Sequence, residues 1–301
     1  MAQLVVEPRL MVGEGWDAYR LLDSGHGRKW EQFGDYRFIR PEPQAMWTPR
    51  IADWPAHSEF TPGSDEDGGG RWSDAPELPR DGWELAWDDV RFTAQPTPFR
   101  HLQFFPDMAP VWRWMRERLA GVEEAETLNL FGYTGVGSLA LSDCGKVVHV
   151  DASKKSVAQA RENAKLSDMD DRPIRWLIDD ASKFAAREVR RERRYDGIIL
   201  DPPKFGRGPN GETWRLEADL PGLLADCRRL LDEQSRFLFL TVYAVRMSSL
   251  ALAGLMRELF ADLPGQVEHG ELAVREEGQD GRLLPTALFA RWSQDGEGVN
   301  Q

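Results

Sequence analysis

Four places in this chain put polar groups where a run of apolar residues ends, in an order that suits a bound nucleoside. The first is Asn129-Leu130-Phe131-Gly132-Tyr133-Thr134-Gly135-Val136-Gly137. Its glycines allow a ligand close to the backbone, and the helix start that follows can receive a carboxylate. The spacing is G-x-x-G-x-G, not the G-x-G-x-x-G of dinucleotide-binding folds. The second is Asp151, where a carboxylate can accept from both hydroxyls of a ribose or serve the next helix as a cap. The third is Asp179-Asp180, which can accept from the amine of an adenine or cap the helix beginning at Ala181. The fourth is Asp201-Pro202-Pro203-Lys204, where two prolines end a strand and hold an acid and a base on a rigid rim.

These positions depend on the elements around them. LNLF (128–131), VVHV (147–150), IRWLI (174–178), YDGIIL (195–200) and FLFLTVY (237–243) read as strands. Helical stretches separate them, among them 153–167 with Ser153 as its cap, and one from Trp214 onward with Pro221 as a possible break. VEHGELAVRE and LPTALFARW close the chain as two further strands. The pattern predicts an α/β fold: a Rossmann-like, seven-stranded, mostly parallel sheet with an antiparallel C-terminal hairpin. In such sheets ligands lie beyond the carboxyl ends of the strands, where the four groups stand.

Residues 1–95 read as a small β-rich domain and 96–301 as the catalytic domain. The first part holds seven of the twelve tryptophans, at 16, 30, 47, 54, 72, 83 and 87. They either fill a small core or stack on nucleobases. The acidic stretch Asp65 to Gly70 is no calcium loop, because Pro76 occupies the twelfth position where a glutamate is needed. No metal site is expected.

The net charge of −12 disfavours broad, nonspecific binding of nucleic acid. The run Arg190-Arg191-Glu192-Arg193-Arg194 is the densest basic patch, and reads as a solvated helix end. No apolar stretch is long enough to span a membrane, and the start lacks the features of a secretory leader. With two cysteines only, Cys144 and Cys227, a cytoplasmic protein without disulfides is expected.

The segments NLFGYTGVGSLAL, VVHVDASKKSVAQARENAKLS, IRWLIDDASKF and YDGIILDPPKFGRG resemble the bacterial large-subunit rRNA methyltransferases of the RlmI type, which are cytosine-5 enzymes. HLQFFPDMAPVWRWM resembles the segment before their catalytic domain, so the likeness covers about residues 98–292. DSGHGRKWEQFGDYRFIRPEPQAMW resembles a branch with a short β domain and no PUA domain. The resemblance implies S-adenosyl-L-methionine as cofactor. It places Asn129, Phe131, Tyr133, Thr134, Gly135, Asp151, Ala152, Ser153, Asp179 and Asp180 around it, and turns Asp201, Pro202, Pro203 and Lys204 toward the methyl acceptor. It also implies an RNA substrate. One departure bears on chemistry. The cytosine-5 enzymes carry a nucleophilic cysteine after the fifth strand, where this chain reads Leu240-Thr241-Val242-Tyr243-Ala244. A base nitrogen is therefore expected as the acceptor, with no covalent intermediate. A protein or small-molecule acceptor, or a binding protein without turnover, are the alternatives.

Overall fold

Strand and helix alternate through the last two thirds of the chain, as the spacing of its apolar runs requires. The computed structural model describes residues 2–63, 69–243, 246–278 and 280–294; most of the acidic stretch 65–70 and Ala244 lie outside them. Two short strands, β1 (Gln3–Leu4) and β2 (Arg9–Gly13), come first. Then follow β3 (Tyr19–Gly25), β4 (Arg28–Phe33), β5 (Tyr36–Pro41), β6 (Ser58–Pro62), β7 (Gly70–Trp72), β8 (Trp83–Trp87) and β9 (Val90–Ala94). The alternating part contains α1 (Ala109–Leu119), β10 (Ala125–Leu130), α2 (Val136–Leu141), β11 (Gly145–Asp151), α3 (Lys154–Leu166), β12 (Ile174–Ile178), α4 (Ala181–Arg190) and β13 (Gly197–Leu200). It continues with β14 (Phe205–Arg207), β15 (Thr213–Arg215), α5 (Leu216–Arg229), β16 (Phe237–Val242), α6 (Ser249–Leu259), β17 (Gln266–Arg275) and β18 (Leu283–Ser293).

The residues fall into two compact units, one of 1–11, 111–271 and 287–301, the other of 12–110 and 272–286. In the first, the strands run β12-β11-β10-β13-β16-β18-β17 across the sheet, with β1 and β2 both pairing with β17. The five strands β12, β11, β10, β13 and β16 are mutually parallel, and β18 returns antiparallel to β16. The hairpin of β17 and β18 is thus not the outermost part of the sheet, because β1 and β2 extend it to nine strands. Central β13 and β16 are buried at every residue, which explains why GIIL and FLFLTV show no polar alternation.

Side chains alternate between the two faces. Leu128, Leu130, Ile198, Leu200, Leu238 and Leu240 point into the core that α4, α5 and α6 cover. On the other face Trp114 of α1 packs against Phe237 and Phe239, and Asn129 and His149 meet α2. Pro221 does not break its helix. α5 runs through it, because one missing N–H, the partner of the Glu217 carbonyl, counts for less than the buried stripe Leu216, Leu220, Leu223, Leu224 and Cys227. Nor is Trp214 helical: it lies on β15, which pairs with β14. No described helix is long and apolar enough to cross a membrane.

The second unit holds a five-stranded sheet, β3-β4-β5-β6-β7, and the separate hairpin β8-β9. Trp30 and Trp87 are buried in its core, and the other five tryptophans are half-buried around it. The indole N–H groups of Trp16, Trp30, Trp47, Trp54, Trp72 and Trp83 donate to Ala86, Pro55, Ser24, Asp23, Thr97 and Phe33, all within the unit. Buried Glu31 lies between Arg40, which it meets through two N–H···O bonds of 2.6 and 2.7 Å, and the Tyr19 hydroxyl at 2.8 Å.

Candidate active site

The strand order reverses between β10 and β13: from β10 the chain works outward to β12, and from β13 to β16 in the other direction. In such sheets the loops that leave the two adjacent strands diverge, which places the ligand crevice at their carboxyl ends. The glycine-rich loop after β10 and the Asp-Pro-Pro-Lys rim after β13 form its two sides.

The first loop is held in a conformation few side chains adopt. Phe131, Tyr133 and Gly135 have φ of 61°, 49° and 81°. For the two aromatic residues this left-handed backbone costs about 1–2 kcal/mol each. Several bonds sustain it. The Gly132 amide donates to Val150 O at 3.0 Å, the Tyr133 amide to Asp151 Oδ2 at 2.9 Å, and Asn163 Nδ2 to Thr134 O at 2.9 Å. Both glycines are required. A Cβ at Gly132 would stand 2.5 Å from the His149 ring, and one at Gly135 would stand 2.7 Å from the Ala160 Cβ. Beneath the loop, Asn129 Nδ2 donates to Ser138 Oγ at 2.9 Å, and Ser138 Oγ lies 2.9 Å from His149 Nδ1. Burial holds the His149 imidazole down to about 3, so it is neutral at physiological pH. Asn129 therefore supports the loop from below. Ser138 and His149 were not foreseen from sequence, since neither residue type stands out on an ordinary helix or strand.

Asp151 ends β11. Its Oδ1 accepts from the Ser153 amide at 2.8 Å and its Oδ2 from the Tyr133 amide. Burial raises its pKa, opposed by these two bonds. Each carboxylate oxygen keeps a second acceptor site, which suits the two hydroxyls of a ribose. Ala152 follows, and Ser153 caps α3 by accepting from the Ser156 amide at 3.2 Å. At the end of β12, Asp180 caps α4 through the Lys183 amide at 2.9 Å, and Asp179 pairs with Arg187. Of the two roles open to this pair of acids, Asp180 takes that of the cap. Beside them Ile178 is 44% exposed, an apolar side chain at a strand end that suits the face of a purine.

On the rim, Asp201 is half-buried, Pro202 buried, and Pro203 and Lys204 exposed. The Pro203 carbonyl accepts from Trp214 Nε1 at 2.7 Å and the Lys204 carbonyl from the Leu216 amide at 3.0 Å. The Trp214 ring lies 5.1 Å from that of Phe131, so one buried indole touches both sides of the crevice. The two thiols are elsewhere. Cys144 precedes β11, at the opposite end of the sheet, and Cys227 is fully buried in α5. Burial raises the pKa of both. The basic run 190–194 follows α4 at that same opposite end, where Arg191 pairs with Glu188 and Arg193 with Glu126. Among the described residues no three His, Cys, Asp or Glu side chains gather as a metal would require.

A family model described as S-adenosylmethionine-dependent methyltransferase matches residues 65–256. The chain belongs to this family. Over 98% of its length it superposes on a SAM-dependent methyltransferase from Agrobacterium tumefaciens, covering 96% of that chain, with a TM-score of 0.91 and 42% identity. SMU.776, solved with S-adenosylhomocysteine, shares the fold at a TM-score of 0.64 and 15% identity, over 92% of this chain and 75% of that one. The ribosomal RNA large subunit methyltransferase I of Escherichia coli is 36% identical over 86 residues, 28% of this chain and 22% of that protein. The match spans about a fifth of that curated relative's length.

The cofactor of this family is S-adenosyl-L-methionine, and the groups at these strand ends have the chemistry to hold it. The loop after β10 presents backbone, and Asp151 presents two carboxylate oxygens with acceptor sites to spare. Asp151→Ala is expected to weaken binding of S-adenosylhomocysteine at least tenfold, since it removes charge-assisted acceptors and releases the Tyr133 amide. Titration calorimetry measures this, with NAD as a ligand expected not to bind. An unchanged dissociation constant would show that the ribose is held elsewhere.

Proposed function

We propose that this methyltransferase acts on RNA, transferring a methyl group to a nucleobase nitrogen. The observation that carries the reading is the position of the thiols. Methylation at cytosine C5 needs a thiolate to add to the ring first, and neither Cys144 nor Cys227 stands near the open end of the strands. The likeness to an rRNA methyltransferase supports RNA as the substrate class.

The bound cofactor supplies an electrophilic methyl on a sulfonium centre. The protein's share is alignment and exclusion of water. The Asp201 carboxylate and the Pro202 carbonyl accept N–H groups of an exocyclic amine and orient its base. Trp214 and Leu216, by binding the Pro203 and Lys204 carbonyls, keep that rim from shifting. Asp179, Asp180 and Ser153 shape the cofactor side, with Ala152 in the turn between Asp151 and the helix cap.

The test is to incubate the purified protein with labelled S-adenosylmethionine and RNA from cells lacking it, and to map any modified nucleotide by mass spectrometry. On that substrate the double variant Cys144→Ala/Cys227→Ala is expected to keep most of its activity. A folded, cofactor-binding double variant without activity, or a covalent adduct with RNA containing 5-fluorocytosine, would restore the cytosine-5 mechanism. The net charge of −12 favours a second reading, a protein or small-molecule acceptor. Label that enters protein or small molecules of the extract and not RNA establishes it.

A further inference from the structure

The hairpin of β14 and β15 follows the Asp-Pro-Pro-Lys rim directly, and its two faces differ. Its register sets Phe205 opposite Arg215, Gly206 opposite Trp214, and Arg207 opposite Thr213. Because side chains alternate, Gly206 and Trp214 share one face while Phe205, Arg207, Thr213 and Arg215 share the other. The first face is the anchor. Trp214 is 4% exposed, bonded to the Pro203 carbonyl and packed on Phe131. Gly206 leaves room there, since a Cβ would lie 3.3 Å from the Pro203 ring.

The second face is open. Phe205 is 43% exposed, with the Arg207 guanidinium 5.5 Å from its ring centroid. Thr213 Oγ1 accepts from Arg207 Nη1 at 2.9 Å and holds the guanidinium in place. Residues 204–215 carry three cations, Lys204, Arg207 and Arg215, against one acid, Glu212. That acid is already paired with Lys183 at 2.5 Å. Asp201, Glu217 and Asp219 flank the hairpin, and the Asp219 carboxylate accepts from the Arg215 amide at 2.6 Å, so the cations are a local feature of the open face, where Arg207 and Arg215 stand beside the Phe205 ring.

We propose that this hairpin is the platform on which the methyltransferase holds its RNA: the Phe205 ring stacks on a base next to the acceptor, and Arg207, with Lys204 and Arg215, takes the flanking phosphates. This rests on the RNA reading of the site. A nucleotide pairs a flat apolar face with an anion, and the hairpin offers a partner for each: the Phe205 ring, and the cations of Arg207, 5.5 Å from its centroid, and of Arg215 on the paired strand. An apolar peptide would gain nothing from the cations, and a free phosphate nothing from the ring. Trp214 acts as a positioning residue, tying the platform to the rim and to the cofactor loop.

The test uses the full chain saturated with S-adenosylhomocysteine, and fluorescence anisotropy of a labelled single-stranded RNA of about twelve nucleotides and mixed sequence. Phe205→Ala is expected to weaken RNA binding about tenfold, Phe205→Leu to do the same despite its apolar side chain, and Phe205→Trp to retain it. Arg207→Gln is expected to weaken binding and to lower the slope of log affinity against log salt by about 0.7. Affinity for S-adenosylhomocysteine, read by calorimetry, should stay at the parental value throughout. If Phe205→Ala unfolds, the exposed Arg207→Gln substitution and Phe205→Leu carry the test alone. Parental RNA affinity and salt slope in these variants would overturn the platform and leave the RNA reading standing. A parent protein that binds no RNA would overturn both.

Discussion

Asp201→Ala is expected to lower turnover about a hundredfold while leaving affinity for S-adenosylhomocysteine within about twofold. The asymmetry follows from where the carboxylate stands. Asp151 ends β11 and Asp201 opens the rim after β13, and in the proposed reading the first faces the cofactor and the second the acceptor. A group that aligns the acceptor contributes most when the acceptor approaches the methyl carbon, so its loss appears in turnover more than in binding. A hydrogen bond to a charged acceptor contributes about 1.5–3 kcal/mol, which spans roughly ten- to hundredfold in rate. Loss of alignment adds to this. Asp201→Asn keeps one carbonyl acceptor and should fall between the two. The measurement is a single-turnover rate on the mapped RNA substrate beside a calorimetric dissociation constant. Parental turnover in Asp201→Ala would remove the rim from the mechanism.

The largest effect on stability is expected at Glu31. This carboxylate is fully buried and bonded to Arg40 and Tyr19, with Lys29 3.8 Å away. Burial alone would raise its pKa, but the charges of Arg40 and Lys29 and the hydrogen bonds from Arg40 and Tyr19 together outweigh burial and hold it at about 2. Glu31→Gln leaves Arg40 buried without its counter-charge, and is expected to destabilise the unit by about 3–5 kcal/mol. Replacing both partners by apolar residues of similar volume should cost far less, because no charge is then left uncompensated. Urea titration followed by tryptophan fluorescence suits this, since seven of the twelve tryptophans lie in that unit. The pH dependence follows from the depressed pKa. The contribution of Glu31 is complete above about 4.3, its value in the unfolded chain, and is lost as pH falls through about 2. Glu31→Gln should therefore unfold with a weaker dependence on acid between those limits. A variant as stable as the parent would mean that Arg40 finds another partner.

Much of the site was legible in the sequence because it is local. The order of strands and helices follows from apolar periodicity. Ser153 and Asp180 were readable as caps, since a cap acts on amides two or three residues away. The lack of a thiol after the fifth strand needed only the residue types there. Tertiary structure alone decided what depends on partners distant in sequence. Asn129 stands on the face of β10 that turns toward Ser138 and His149, so it braces the loop. Asp179 is drawn to Arg187, one helix away. β14 and β15 have three residues each, too few to show a period, and are strands because Trp214 is buried against Phe131 and Pro203. β1 finds its place through Gln3 opposite Gln266 and Leu4 opposite Val267. The six bonded indoles of the second unit have acceptors up to 70 residues away. Composition could show that those tryptophans are there, but only the folded chain shows where each N–H points, because its acceptor is brought up by a strand or loop distant in sequence.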